Sequence, residues 1–210
     1  RDGLVTGVQT CALPISQSFF EFFQSMEDQN VRWQIATFLR LLRVFAMLVS
    51  IFFTSIYVAA LTFHYEIIPQ TLLIPLGQSR SKVPFPPIIE ALLLEMMIEL
   101  LREAGARLPT KVGQTMGIVG GIVVGTAAVD AGFTSNILII IIAVSALASF
   151  TTPSYMMGNI IRVLRFPLIL LAGFWGFYGL MIGFCFLLIH LLKLSSLGSP
   201  FLAPFYPPRF

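Results

Sequence analysis

The sequence predicts an all-α membrane protein, a polytopic helical bundle with four spans plus one amphipathic or re-entrant helix. Hydrophobic residues make up 57% of its 210 residues and charged residues only 11%, with a mean hydropathy of +0.88. Soluble domains carry about 25% charged residues. Four apolar runs approach or exceed the roughly 20 residues that cross the hydrocarbon core: Val44–Phe63, Val112–Ala131, Asn136–Thr152 and Phe166–Leu192.

The beginning of the chain differs in character from the rest. RDGLVTGVQTCALPIS starts without methionine and resembles translated sequencing-adapter read-through, so we expect residues 1–16 to be an artefact and leave them out of the fold argument. Residues 17–43 mix aromatic and charged side chains, which predicts a juxtamembrane amphipathic helix. The simpler interpretation, which we favour, is a linker helix from a soluble domain upstream.

The transmembrane domain is predicted over residues 44–192, followed by a polar tail at residues 193–210. After the first span, His64–Pro87 contains five prolines and a short polar run, which predicts a loop rather than a helix. Another break is predicted at Thr151–Tyr155, because Pro153 interrupts the helical pattern there.

The most informative segment is an apolar helix predicted from Pro87 to Gly105. It carries four acids: Glu90, Glu95, Glu99 and Glu103. The last three are spaced by four residues and form one stripe, with the first some way round the helix. A charge facing lipid at the bilayer centre costs about 2.5 to 3.5 kcal/mol on the lenient insertion scale. The stripe must therefore face protein, water or the membrane interface.

Two interpretations of this acidic helix remain open. In the first, it lies at the interface and its acids are solvated or paired with nearby cations: Arg102, Arg107 or Lys111. In the second, it is a re-entrant or pore-side helix that offers carboxylates to a cation. Periodicity alone favours the first.

Two stretches carry glycines at spacings that let a helix approach a neighbour closely. In Val112–Ala131, glycine recurs at every fourth position: Gly113, Gly117, Gly121 and Gly125. The last span has a similar set: Gly173, Gly176, Gly179 and Gly183. Helices associate in lipid through close packing, so we expect packing glycines, with pore lining or bending as the alternative. Asp130 follows in a short polar turn, either as a surface residue or as one member of an acidic ring at a pore mouth.

Charge placement leaves the number of spans open between four and five. Three arginines lie just before the first span and place that side in the cytoplasm: Arg32, Arg40 and Arg43. With four spans, Arg162 and Arg165 fall outside; if the acidic helix also crosses, they fall inside. The positive-inside rule favours five spans, but the length and charge of the acidic helix favour four, which we predict.

No pattern in the sequence predicts catalysis. His64 and His190 are far apart, and neither fits a metal-binding spacing such as H-E-x-x-H. Cys11 and Cys185 form no disulfide framework or metal set. The basic residues flank apolar runs rather than forming a solvated patch, which argues against nucleic-acid binding. We therefore expect no enzyme activity, metal or cofactor.

Six long segments carry a resemblance to a known family: SFFEFFQSMED, LTFHYEIIPQTLL, VPFPPIIEALLLEMMIELLREAGARLP, VGQTMGIVGGIVVGTAAVDAG, SALASFTTPSY and RVLRFPLILLAGFWGFYG. From about Ser18 to Pro208, the chain resembles the membrane domain of the A-subunit family of bacterial spore germination receptors, the GerA family. Members of that family usually carry a large cytoplasmic domain before the first span.

The resemblance implies a protein of the spore inner membrane that senses nutrients together with B and C partner subunits. It also implies a ring-shaped homo-oligomer that conducts monovalent cations when germinant binds. The residues that we expect to face a pore or a cation are the acids: Glu90, Glu95, Glu99, Glu103 and Asp130. Two alternatives remain, a transporter-like permease, which would show inverted repeats, and a non-conducting scaffold of the receptor complex.

Overall fold

The computed structural model describes residues 19–25, 28, 31–107, 121–122, 125–196 and 199–200. Five α-helices make up most of this part of the chain: α1 (Trp33–Phe63), α2 (Gln70–Arg80), α3 (Pro87–Arg107), α4 (Asn136–Ser149) and α5 (Tyr155–Lys193). Short 3-10 helices lie at Phe19–Phe23 and Tyr65–Ile67, and one two-residue strand pair joins Ser195–Ser196 to Ser199–Pro200. The predicted all-α class is confirmed.

Two of the four predicted spans, Val44–Phe63 and Phe166–Leu192, lie within α1 and α5, and a third, Asn136–Thr152, extends three residues beyond α4. Of the fourth, Val112–Ala131, the structure describes only residues 121–122 and 125–131. Among these, residues 121–122 and 125–130 are helical. In the described part of the chain, α1 and α5 are long and apolar enough to cross a membrane, whereas α4 is apolar but has 14 residues. The four-span count is therefore not confirmed.

The predicted loop between His64 and Pro87 is wrong, because it contains helix α2. Pro69 precedes the first helical residue, and its carbonyl accepts hydrogen bonds from the N–H groups of Leu72 and Leu73. Proline is well tolerated at that position, since the first turn leaves N–H groups unbonded in any case. Pro75 lies inside the helix and removes one internal hydrogen bond without ending it.

Helix α5 reverses direction at Gly176. A straight helix of 39 residues would be about 58 Å long, roughly twice the hydrocarbon thickness. Gly176 instead adopts φ 61° and ψ −139°, and Gly183 lies against Leu168. Residues so far apart in sequence touch only if the helix folds back. Helix α5 is therefore a hairpin with a first arm at residues 155–175 and a second arm at residues 177–193.

Side-chain contacts give the direction of each helix. The Ser145 hydroxyl donates to the Ser50 carbonyl, and Tyr57 lies 3.4 Å from Ser135, so α4 runs antiparallel to α1. The ion pairs of α3 with the first arm of α5 show that those two are also antiparallel. Helix α1 and the first arm thus run one way, and α3, α4 and the second arm run the other.

The two ends of the bundle differ in charge. Most of the described cations gather where α1 begins and α3 ends, which we call the basic end: Arg40, Arg43, Arg102, Arg107, Arg162 and Lys193. Arg80 and Lys82 lie at the opposite end. Helix α3 extends over the whole distance between the two ends, with Glu90 beside Ser135 at the opposite end and Arg102 beside Phe150 at the basic end.

Four helices meet at a central apolar cluster between these ends. Its fully buried members come from α1, α3, α4 and the first arm of α5: Val58, Ala91, Leu94, Leu138, Ile142 and Ile169. Dense packing of such side chains supplies the van der Waals attraction that associates helices in lipid, where the hydrophobic effect between helices is absent. The cluster holds α3 inside the bundle, which places its acids among protein side chains.

The segment before α1 is tied to the basic end by a charged contact. Phe19 and Phe23 pack edge to face and reach the core beside Met47. Asp28 is buried and accepts two hydrogen bonds from Arg43, at 2.6 and 3.0 Å. This bidentate pair is the strong form of such a contact. The hydrogen bond from Arg43 is the main reason that the pKa of Asp28 lies below its usual value of 3.8.

Replacing Gly176 with alanine should destabilise the hairpin by about 1 to 3 kcal/mol. Its φ of +61° is unfavourable for any L side chain, and an added Cβ would lie 3.0 Å from Phe63 and 3.1 Å from His64. The measurement is reversible unfolding in detergent. Gly77→Ala is the control, because Gly77 is helical with open space around it and alanine suits a helix better. Equal stability of the two variants would contradict the reversal at Gly176.

Docking of the Asp28 segment should be lost at low pH. A carboxyl whose folded pKa lies below its unfolded pKa contributes stability above the unfolded value, and that contribution disappears as pH falls through the folded value. The thermal midpoint of the wild type should therefore approach that of Asp28→Asn below about pH 4 and exceed it at pH 7. A constant difference between the two proteins from pH 3 to pH 7 would contradict this assignment. The exposed Glu66→Gln is the matched control.

Candidate functional site

The four carboxylates of α3 form a ladder of ion pairs that runs from the opposite end of the bundle to the basic end. Exposure increases along it: Glu90 and Glu95 are 1% and 3% exposed, and the side chains of Glu99 and Glu103 are 37% and 58% exposed. Each carboxylate has an arginine partner within the chain. We refer to this set as the ion-pair ladder.

The first level of the ladder joins α2, α3 and the start of α4. Glu90 accepts hydrogen bonds from the Thr134 hydroxyl at 3.0 Å and the Ser135 backbone N–H at 2.6 Å. Its second oxygen lies 3.2 Å from Arg80. Ser135 is also the N-cap of α4, since its hydroxyl accepts from the Leu138 N–H. Glu90 therefore fixes the point at which α4 begins.

The second level lies deepest in the protein and connects four helices. Arg165 of α5 donates to Glu95 of α3 at 2.7 Å, and Thr54 of α1 donates to the other carboxylate oxygen at 3.0 Å. Arg165 also donates to the Ser50 hydroxyl at 2.7 Å and to the Ser145 carbonyl of α4 at 3.4 Å. Its Nε is buried and has no acceptor among the described residues. The pair is charged, well bonded and closed off from the outside.

The third and fourth levels approach the surface at the basic end. Arg162 donates to Glu99 at 3.0 Å and to Asn159, while Arg102 lies 3.9 Å from Glu99. The guanidinium of Arg102 also sits 4.3 Å above the Phe150 ring. Glu103 pairs with Arg107 at 2.7 Å one turn away, and both side chains are exposed. This last pair has the contact expected of an interfacial helix.

The other acid singled out by the sequence, Asp130, is exposed at the end of a helical stretch. That stretch closes with Gly132 at φ 69°, and hydrogen bonds from Gly132 to Val129 and from Phe133 to Ala128 complete a Schellman cap. Asp130 therefore lies just before Thr134 and Ser135, which bind Glu90 in the first level of the ladder. Among the described residues, no group of three or more His, Cys, Asp and Glu is placed to hold a metal ion.

The glycines of the two predicted packing sets differ in their surroundings. Gly113 and Gly117 lie outside the described residues, and Gly121 and Gly125 have open space where a Cβ would be. In α5, the backbone is closely approached at four positions: at Gly173 by Ile88, at Gly176 by Phe63, at Gly179 by Leu171 and at Gly183 by Leu168.

Several residues of the ladder were not singled out by the sequence. They are the partners of the acids on other elements: Ser50, Thr54, Arg80, Thr134, Ser135, Ser145, Arg162 and Arg165. Arg162 and Arg165 were interpreted as topology signals. A usable signal was present in α1, where Ser50 and Thr54 are four residues apart and so share one face of an apolar helix.

This arrangement makes charge balance at the second level a condition of stability. Removing one partner of a buried pair costs about 3 to 5 kcal/mol, because the other charge remains without compensation, whereas replacing both with apolar side chains is often neutral. Neither charge at the second level can therefore lose its partner without cost unless another charged group or water replaces that partner.

Arg165→Met should destabilise the protein by about 3 to 5 kcal/mol, and adding Glu95→Met should restore most of that loss. A double-mutant cycle measured by unfolding in detergent gives the coupling. The control cycle uses the exposed pair of Glu103 and Arg107, for which we expect about 0.3 to 0.5 kcal/mol. Additive effects of Glu95→Met and Arg165→Met would contradict the buried pair.

The comparisons with known proteins agree on a single family. The chain matches the model of the Bacillus/Clostridium GerA spore germination protein over residues 4–210. That range includes residues 4–16, part of the segment that we predicted to be an artefact. Those residues lie outside the described part of the chain. No solved structure matches.

Curated relatives include spore germination protein GerIA of Bacillus cereus, which is 61% identical over 192 residues, or 91% of this chain and 29% of that protein. GerQA of Bacillus cereus is 57% identical over 94% of this chain and 40% of its own length. Spore germination protein KA of Bacillus subtilis is 46% identical over 90% of this chain and 35% of its own length. The chain thus spans 29 to 40% of the length of these relatives. It belongs to the GerA family of spore germination proteins.

Proposed function

We propose that this chain is the membrane part of a nutrient germinant receptor A subunit, and that it forms an oligomeric, nutrient-gated cation channel in the spore inner membrane. Partner B and C subunits would complete the receptor. Family membership and the apolar helices α1 and α5 support a role in germination at a membrane. The names of the relatives GerIA and GerQA refer to spore germination.

The bundle supports a particular placement in the bilayer. The positive-inside rule puts the basic end in the cytoplasm. Helices α1, α3 and both arms of α5 would then cross the membrane with α4 packed among them; Arg107 lies at the basic end, and Gly132 lies beside Lys82 at the opposite end. This placement brings Arg162 and Arg165 to the cytoplasmic half, which the four-span arrangement did not. It also allows α3 to cross, since its buried acids face protein.

The observation that carries the proposal is the second level of the ladder. An inert scaffold would be served by an apolar core, because a buried ion pair is seldom more stable than well-packed apolar residues of similar volume. A gate, in contrast, requires an element with two arrangements. Arg165 and Glu95 connect four helices through directional contacts that can open as a unit.

Oligomerisation is supported by the glycine stretch. Gly121 and Gly125 are helical, and among the described residues no neighbour lies within 4 Å of the position that a Cβ would take on either one. A helix face of small residues packs well against a second helix in lipid, and another copy of the chain would supply that helix. The exposed carboxylates of Glu103 and Asp130 would then be repeated around the ring and attract cations to its two mouths.

The test is single-channel recording from the full-length protein in planar bilayers. We expect nutrient-dependent, cation-selective steps in the presence of the partner subunits. Glu103→Gln with Asp130→Asn should lower the unitary conductance about twofold to tenfold at low salt, and less at high salt, because screening weakens surface charge. These exposed residues are chosen because neutralising Glu90 or Glu95 would also remove a structural ion pair.

Glu66→Gln, another exposed carboxylate, is the matched control and should leave the conductance unchanged. If correctly assembled wild-type protein passed no current, the channel proposal would be wrong and a non-conducting scaffold would be favoured. Saturable solute flux without unitary steps would replace it with a permease. If the double variant had unchanged conductance at low salt, Glu103 and Asp130 would not lie near the ion path.

A further inference from the structure

A cavity at the basic end adjoins the third and fourth levels of the ion-pair ladder, because Arg102, Glu103 and Arg162 line it. Its volume is about 330 Å³, within the range of small-ligand sites. It lies where α3 ends, α4 turns into α5 and the first arm of α5 begins. The residues that matter for its chemistry are Arg102, Thr152, Ser154, Tyr155 and Arg162.

The charge at this cavity is unbalanced. Arg102 and Arg162 both point to the same carboxylate, Glu99, at 3.9 and 3.0 Å. Glu103 also lines the cavity, but its charge is matched by Arg107 at 2.7 Å. Among the described groups, three arginines therefore share two carboxylates, and one positive charge at the cavity is left without a counter-ion.

Two hydroxyls at the cavity are open to an acceptor, whereas Arg162 already donates to Glu99, Asn159 and the Gly158 carbonyl, and Arg102 to the Ala146 carbonyl. The Thr152 hydroxyl is buried and has no hydrogen-bond partner in the described chain. Ser154 is the N-cap of α5, but its side chain makes no capping hydrogen bond. The first turn of a helix leaves N–H groups unpaired and carries partial positive charge. Two arginines, two hydroxyls and a helix start thus converge on one space.

The surroundings of the cavity indicate where its ligand comes from. The turn at residues 150–154 joins two helices, and a turn of this kind lies at the polar boundary of the bilayer rather than in hydrocarbon. Large apolar side chains beside it are exposed by 67 to 75%: Leu147, Phe150, Tyr155 and Met156. Acyl chains would cover these residues while a headgroup reached the cavity.

We propose that this cavity binds a phosphate group, supplied by an anionic phospholipid of the cytoplasmic leaflet. Arg102 and Arg162 would donate charge-assisted hydrogen bonds to the phosphate oxygens, with the hydroxyls of Thr152 and Ser154 completing the shell. Because Arg162 also pairs with Glu99, an occupied site would compete for the third level of the ladder. The site rests on the described geometry and not on the proposed channel activity.

The test uses the full-length protein in detergent and counts bound lipids by native mass spectrometry. Phosphatidylglycerol should bind saturably. Phosphatidylcholine should bind about tenfold more weakly, because its choline group balances the charge of its phosphate. Arg102→Gln should weaken phosphatidylglycerol binding about tenfold and Thr152→Val about threefold, in line with loss of a charged and a neutral hydrogen bond. Inorganic phosphate is the second probe.

Two neighbouring variants serve as matched controls. Lys193→Gln removes an exposed cation at the basic end that does not line the cavity, and Thr151→Val removes a hydroxyl that already donates to the Ala148 carbonyl. Both should bind phosphatidylglycerol like the wild type. Thr152→Val has no contact to lose within the chain, so it tests the site even if Arg102→Gln does not fold.

Saturable binding of inorganic phosphate that is lost in Arg102→Gln and Thr152→Val would support the same site with a soluble ligand. Equal binding of phosphatidylglycerol by all four variants would overturn the proposal, as would equal binding of phosphatidylcholine. None of these outcomes depends on ion conduction. The proposed phosphate site can therefore be wrong while the proposed channel is right, or the channel wrong while the site is right.

Discussion

The ion pair between Arg165 and Glu95 is the contact on which the arrangement of the bundle depends, because its two side chains reach α1, α3, α4 and the first arm of α5. In a low-dielectric interior neither charge can be left alone. The pairing therefore sets the register of α3 against α5, and that register brings Glu99 opposite Arg162. Apolar packing around Ile142 and Ile169 excludes water from the pair. Such packing is not directional, so it does not by itself fix the register between the helices.

This constraint also explains how an acidic helix can lie within a membrane protein. The sequence posed a choice between a helix at the interface and one that exposes carboxylates to a pore. In the folded chain Glu103 is paired at the surface, whereas Glu95 is sealed among four helices, an environment that neither interpretation included. The first arm of α5 runs along this gradient and carries Arg165 to Glu95 and Arg162 to Glu99.

Local pattern predicted much of the fold. Apolar runs predicted α1, α4 and α5, and Pro153 predicted the break before Tyr155. Contacts between distant residues were not predictable: Arg165 and Glu95 are 70 positions apart, and periodicity suggests only neighbours such as Arg102 as partners. The reversal at Gly176 was missed because glycine is common in membrane helices, so an apolar run gives no sign of a turn. Helix α2 was missed because prolines near a helix start look like loop signals.

The most direct test is to determine the structure of the full-length protein in lipid nanodiscs. We expect the carboxylate of Glu95 within hydrogen-bond distance of Arg165 in the closed state, with protein on every side and acyl chains only at the outer faces of α1 and α5. A structure in which Glu95 faces lipid, or in which Arg165 lies at the surface far from α3, would contradict the account.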